Sequence, residues 1–174
     1  MFTWRRQVMS KQRIDYPIVE LLRACRRAAG LDRHGWKAYK RSAKPRILFV
    51  EDDADTRDLI AYVLTRANYE VHLAADGRQG ELLAQTASFD LYLIDNWIPL
   101  LSGIDLCTIL RRVDAQTPIL FFSGAACEKD KREALAAGAQ GYLTKPVEVE
   151  ELLAEVSRLI SGAAHTRFVN WRTA

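Results

Sequence analysis

The chain of 174 residues predicts an α/β fold, a parallel sheet with helices on both faces. Three observations carry that expectation. Short β-type runs alternate with helical patterns at regular intervals from residue 46 onward. The run LYLID at 91–95 is nearly continuous and apolar, as a strand buried on both faces has to be. Five strand-then-helix units follow one another in this way, and such an alternation builds a parallel sheet.

The elements follow in order. ILFV at 47–50 is the first strand, with a helix from about Ala54 to Ala67 behind it. EVHLA at 70–74 is the second strand, and Asp76-Gly77 leads into a helix near Arg78 to Ala87. After the third strand, LYLID, Ser102 is a cap for a helix running to about Arg112. Pro118 opens the fourth strand, ILFF. Lys129 to Ala137 is helical and stops at Gly138, and GYLT at 141–144 is the fifth strand. In the last helix, about Glu148 to Ile160, residues Val149, Leu152, Leu153, Val156, Leu159 and Ile160 form an apolar stripe at three- and four-residue spacing.

Composition is that of an ordinary globular chain: 49% apolar and 27% charged residues supply one sizeable core and exclude disorder throughout or a collagen-like repeat. No apolar run approaches the roughly 20 residues of a membrane helix, so no membrane span is expected. The opening MFTWRRQVMS has no apolar stretch of signal-peptide length after its arginines, which gives a cytoplasmic expectation. Cys25, Cys107 and Cys127 show neither CxxC nor Cys/His ligand spacing and are expected to be buried or inert thiols. His34, His72 and His165 share no partner spacing and are expected to be structural or solvated.

The net charge of +3 conceals two different pieces. Residues 1–46 carry 13 Lys and Arg against 3 Asp and Glu, a net +10, while residues 47–174 carry 12 against 19, a net −7. The junction SAKPR, with Pro45 before the first apolar run, sets the boundary near residue 45. The expected organisation is a basic N-terminal extension at 1–45, a domain at 46–160 and a C-terminal tail at 161–174, too short for an output domain. Within the extension, Pro17 suits a helix start and Gly30 a stop. Ile18, Leu21, Leu22, Cys25 and Ala28 line one side of this helix of about 17–29, opposite Arg23, Arg26 and Arg27. Such an arm suits docking on the domain or on a second protomer, a homodimer, or an anionic lipid or nucleic-acid surface. No helix-turn-helix spacing supports specific DNA binding.

In open α/β sheets function collects at the carboxyl ends of strands. There stand Glu51, Asp52 and Asp53 after the first strand, Asp95 at the third, Ser123-Gly124 at the fourth, and Thr144-Lys145-Pro146 at the fifth. With strand order 2-1-3-4-5 the acidic ends of strands one and three meet in one crevice. Carboxylates that close repel unless a cation neutralises them, and an all-oxygen cluster suits Mg²⁺. In such a site Asp95 is a nucleophile able to form an acyl phosphate, Lys145 pairs with a phosphoryl oxygen, and Ser123 donates a hydrogen bond to another.

These residues resemble the receiver domain of two-component response regulators. The resemblance runs from about Arg46 to Ile160 and rests on ILFVEDD, LIDNWIPLLSG, the Ser-Gly after ILFF, and GAQGYLTKP. It implies a five-stranded flavodoxin-like (βα)5 fold of order 2-1-3-4-5. It implies that Asp95 takes phosphate from a histidine kinase or a histidine phosphotransfer protein, switching a surface for a downstream protein partner. It also implies Asp52 as direct Mg²⁺ ligand, Glu51 as a ligand through water and the Trp97 backbone carbonyl as a further ligand. Ser123 and Lys145 become the switch pair, Tyr142 the aromatic that reports phosphorylation, and Lys145-Pro146 a cis peptide bond.

Two positions depart from the commonest pattern. Trp97 is bulky for its place and expected to restrict access to Asp95, and Leu100-Leu101 is expected as an exposed apolar patch. The domain is expected to be a stand-alone receiver and not an enzyme beyond its own phosphorylation and dephosphorylation. Two rivals stand beside it. One is a pseudo-receiver that binds partners without phosphorylation, favoured by Trp97. The other is an aspartate-nucleophile phosphohydrolase, whose DxDx(T/V) motif at Asp53-Ala54-Asp55-Thr56-Arg57 lacks the last residue.

Overall fold

Five parallel strands form one sheet in the order β2-β1-β3-β4-β5 in the computed structural model, which describes residues 44–124 and 127–170, with side chains as far as Ala163. The strands are β1 (Arg46–Val50), β2 (Glu70–Ala74), β3 (Leu91–Ile94), β4 (Ile119–Ser123) and β5 (Gly141–Thr144). Between and after them run α1 (Ala54–Arg66), α2 (Gly77–Thr86), α3 (Gly103–Val113), α4 (Glu128–Ala136) and α5 (Val149–Asn170).

The side-chain period of two along each strand divides the core into two layers. Leu48, Val50, Tyr92, Ile94, Ile119 and Phe121 pack with Leu106, Cys107 and Leu110 of α3 and Ala134 of α4. Ile47, Phe49, Leu91, Leu93, Leu120 and Phe122 pack with Ile60 and Leu64 of α1 and with Leu152, Val156 and Leu159 of α5. Both faces of the central strands are therefore buried, which is why their sequences run apolar without alternation.

The helix starts are capped by side chains. Asp53 accepts the Thr56 amide at 2.8 Å, Asp76 the Gln79 amide at 2.8 Å and Ser102 the Asp105 amide at 3.2 Å. α4 stops before Gly138, whose φ of +107° is one that other residues rarely adopt. The glycine sits on Arg111, which donates to the carbonyls of Gly138, Asp114 and Thr117 and so ties α3 to the ends of two loops.

Three expectations need correction. The last helix does not end at Ile160 but continues to Asn170, so most of the expected tail is helical. Its apolar stripe ends at Ile160, while the following Ser-Gly-Ala-Ala offers no proline to stop the backbone. Cys107 is buried, but Cys127 is exposed, and its sulfur caps α4 by accepting the Asp130 amide at 3.4 Å. Leu101 is half-buried against the α3 layer, leaving Leu100 alone exposed, at 76% and with φ +67°. His72 is half-buried, edge-on to Phe89 and 2.8 Å from Glu70 Oε1, a structural role. The helix of about 17–29, Cys25, His34 and the His165 side chain lie outside the described residues.

Among the described residues, no helix is long and apolar enough to cross a membrane.

Candidate functional site

The pairing of β1 with β3 sets Val50 opposite Ile94, so the residues that follow, Glu51 and Asp95, emerge side by side at adjacent strand ends. Backbone hydrogen bonds hold both in place: the Asp95 amide donates to Val50 O at 2.9 Å and the Glu51 amide to Ala74 O at 3.0 Å. Glu51, Asp52 and Asp95 each offer a carboxylate oxygen within 4.8 Å of the others. Glu51 and Asp95 are buried and Asp52 is exposed, so the cluster opens to solvent on one side.

Lys145 joins them from the far edge of the sheet. Its amide donates to Ser123 O at 2.9 Å, and Lys145-Pro146 is a cis peptide. Its ammonium lies 2.5 Å from Glu51 Oε2 and 2.8 Å from Asp95 Oδ2, over the Phe122 ring. The other oxygen of Asp95 accepts the Trp97 amide at 3.2 Å. The Trp97 indole is 70% exposed.

The electrostatics follow from this crowding. Burial pushes the Glu51 carboxyl above the usual carboxylate range even though Lys145 pulls it down. For Lys145, burial works against the charge, but hydrogen bonds to Asp95 and Glu51 outweigh it and raise its pKa. Three carboxylates facing one ammonium leave an excess of negative charge, and a divalent cation with oxygen preference is the group that neutralises it. The donor set thus fits Mg²⁺.

Ser123 is fully buried at the end of β4, two residues past the Phe121 that pairs with Tyr142 of β5. The Tyr142 ring stacks on Phe121, 5.8 Å between centroids and 3° from parallel, and burial raises its pKa. Tyr142, Ser123 and Lys145 thus stand along the β4–β5 pair on the way to the carboxylates. Asp53, the first residue of the phosphohydrolase motif, is occupied in capping α1, and its hydrogen bonds to Thr56 lower its pKa.

Arg57, to which no sequence motif points, clasps the Glu51 and Asp52 carbonyls with its guanidinium. Its only sequence signal is its place one helical turn after the capping Asp53. No sequence signal singles out Gly103 either, where a Cβ would stand 2.3 Å from the Asp95 carbonyl oxygen.

Residues 47–157 match the family model described as the response regulator receiver domain. The chain belongs to that family. The receiver is 45% identical over 111 residues to the transcriptional regulatory protein YrkP of Bacillus subtilis, covering 64% of this chain and 47% of that one. It is 36% identical over 135 residues to the transcriptional regulator RpaA of Synechocystis, covering 72% and 56%. The chain spans about half the length of these curated relatives. Among solved structures, the receiver resembles the chemotaxis protein CheY4 of Vibrio cholerae, with 34% identity, TM-score 0.64 and coverage of 67% of this chain and 99% of that one. It also resembles the receiver domain of the Pseudomonas aeruginosa sensor histidine kinase PA1611, at 31% identity, TM-score 0.65 and coverage of 68% and 99%, a structure with magnesium coordinated in its active-site cleft. The order 2-1-3-4-5 and the flavodoxin-like fold agree with the expectation.

Proposed function

We propose that this receiver, taken as residues 46–160 behind a basic extension at 1–45, accepts a phosphoryl group on Asp95 from a phosphohistidine of a histidine kinase or histidine phosphotransfer protein. The observation that carries the reading is the junction of three carboxylates from two adjacent strand ends with an ammonium from a third. A carboxylate oxygen of Asp95 attacks phosphorus, the P–N bond breaks, and its electron pair stays on the imidazole nitrogen. The product is an acyl phosphate on Asp95.

Asp52 and Asp95 would hold Mg²⁺ directly, with Glu51 through water and the Trp97 carbonyl completing the protein ligands. The cation supplies charge neutralisation for the incoming phosphoryl oxygens. Lys145 leaves Asp95 Oδ2 to pair with a phosphoryl oxygen, and the Ser123 hydroxyl donates to another. Movement at Ser123 is passed to the Tyr142 ring on the neighbouring strand β5 and alters the face offered to a downstream protein. A second copy of the chain is a further expected partner, and the receiver acts as a signalling module that catalyses no turnover beyond its own phosphorylation and dephosphorylation.

Incubation with acetyl phosphate and Mg²⁺, followed by intact-mass measurement, should show one acid-labile phosphoryl group on the protein and none on Asp95→Asn. An unmodified wild-type protein would overturn the reading in favour of a pseudo-receiver. Release of product from a generic phosphomonoester would favour the phosphohydrolase.

A further inference from the structure

Glu51, Asp52 and Asp53 stand in a row between β1 and α1, and the segment must be held against its own repulsion if its carboxylates are to face Asp95. Asp53 is fixed by its hydrogen bonds to Thr56. Glu51 and Asp52 are fixed differently. From the first turn of α1, Nη1 of Arg57 reaches back and donates to the Glu51 carbonyl at 2.8 Å and to the Asp52 carbonyl at 3.2 Å. Glu51 is 1% exposed, so without that donor its carbonyl would be a buried acceptor with no water to replace the guanidinium. A planar guanidinium on two successive carbonyls restrains two peptide planes at once, and the directions of the Glu51 and Asp52 side chains follow from those planes.

We infer that Arg57 is a positioning residue for cation binding: its grip on the Glu51 and Asp52 carbonyls aims their carboxylates at the point they share with Asp95. The inference rests on the proposed magnesium site and adds to it a residue outside the ligand set. It differs in sign from an electrostatic role. A guanidinium that was merely nearby would repel a divalent cation, and its removal would tighten binding. A guanidinium that sets ligand geometry has the opposite effect, because groups that orient metal ligands typically contribute about tenfold or more in metal affinity.

The test is a titration of the full chain with Mn²⁺, free ion being counted by electron paramagnetic resonance, on wild type, Arg57→Met and Arg57→Lys, each first shown by circular dichroism to be folded at the titration temperature. Arg57→Met should weaken binding about tenfold. Arg57→Lys, which keeps one donor and the charge, should recover part of that loss. A loss confined to general stability would lower the melting temperature without changing the dissociation constant of the folded protein. Unchanged or tighter binding by folded Arg57→Met would overturn the inference. If that variant does not fold, Arg57→Lys decides: weakening of about threefold or more supports the positioning role, and unchanged binding overturns it. No binding by the wild type would overturn the magnesium reading itself, and the inference with it.

Discussion

Lys145 places its ammonium 2.8 Å from Asp95 Oδ2 although β4 lies between the strands that carry the two residues. It does so while also contacting Glu51 on β1's end, so one cation spans the carboxyl edge of the sheet.

That bridge makes Lys145 a group whose loss separates binding from chemistry. Lys145→Met removes the donor that follows the phosphoryl oxygen but leaves the carboxylates in place. Phosphorylation by acetyl phosphate should slow by about a hundredfold, the typical effect of deleting one preorganised donor at a developing charge. Mn²⁺ binding, relieved of a competing cation, should be retained or strengthened. A substituted protein phosphorylated at the wild-type rate would show that the ammonium only neutralises the resting site.

The buried Glu51 gives a pH dependence with a definite sign. Its folded pKa is raised, so the native state holds a proton that the unfolded state has released. The resulting stability is fully present below the ordinary carboxylate pKa and is lost as pH rises through the higher folded value. In chelator, the melting temperature of wild type relative to Glu51→Gln should therefore fall as pH rises from about 4 and level off above the folded pKa. A difference that stays constant, or grows in favour of wild type, would contradict the raised pKa.

Much of this site was readable before any coordinates because its parts are local. Strand ends are set by apolar runs, caps by Asp53, Asp76 and Ser102, and the acidic and basic residues by their place just past those ends. What was not readable depends on contacts remote in sequence or on backbone paths. Leu101 looked like part of an exposed patch, but its backbone closes over Gly77, where a Cβ would meet the Leu101 carbonyl oxygen at 2.2 Å. The stacking of Tyr142 on Phe121 pairs neighbouring strands, which no single run of residues announces. Beyond Ile160 the helix opens on Ser161, Gly162 and Ala163, which carry no large apolar side chain, so hydrophobic spacing gives no sign of its continuation there.

The two described cysteines should differ in reactivity. Burial raises the Cys107 thiol to about 11, and its Sγ–H donates to Ala137 O at 3.4 Å. At pH 8 about one molecule in a thousand carries the thiolate, and that one is enclosed. Iodoacetamide followed by peptide mapping should modify Cys127 in the native protein and spare Cys107 until denaturant is added. Equal labelling of both under native conditions would mean that the α3 layer opens.

The acceptor is also constrained from behind. α3 begins so close to the end of β3 that a Cβ on Gly103 would lie 2.3 Å from Asp95 O and 2.9 Å from Asn96 Cα, and the Gly103 amide donates to Asn96 O at 3.1 Å. Backbone atoms cannot yield as a flexible side chain does, so Gly103→Ala must push either α3 or the acceptor segment away. The expected cost is about 3 kcal/mol in chemical denaturation. Whatever folds should be phosphorylated more slowly, because Asp95 no longer meets Lys145 at its present distance. Gly162→Ala in α5, where a Cβ would meet no atom within 4 Å, is the matched control. It should be neutral or stabilising by up to about 1 kcal/mol, as alanine in place of glycine is in a helix. If Gly103→Ala matched that control in both stability and phosphorylation rate, the close packing of α3 on the acceptor strand would not be what fixes Asp95.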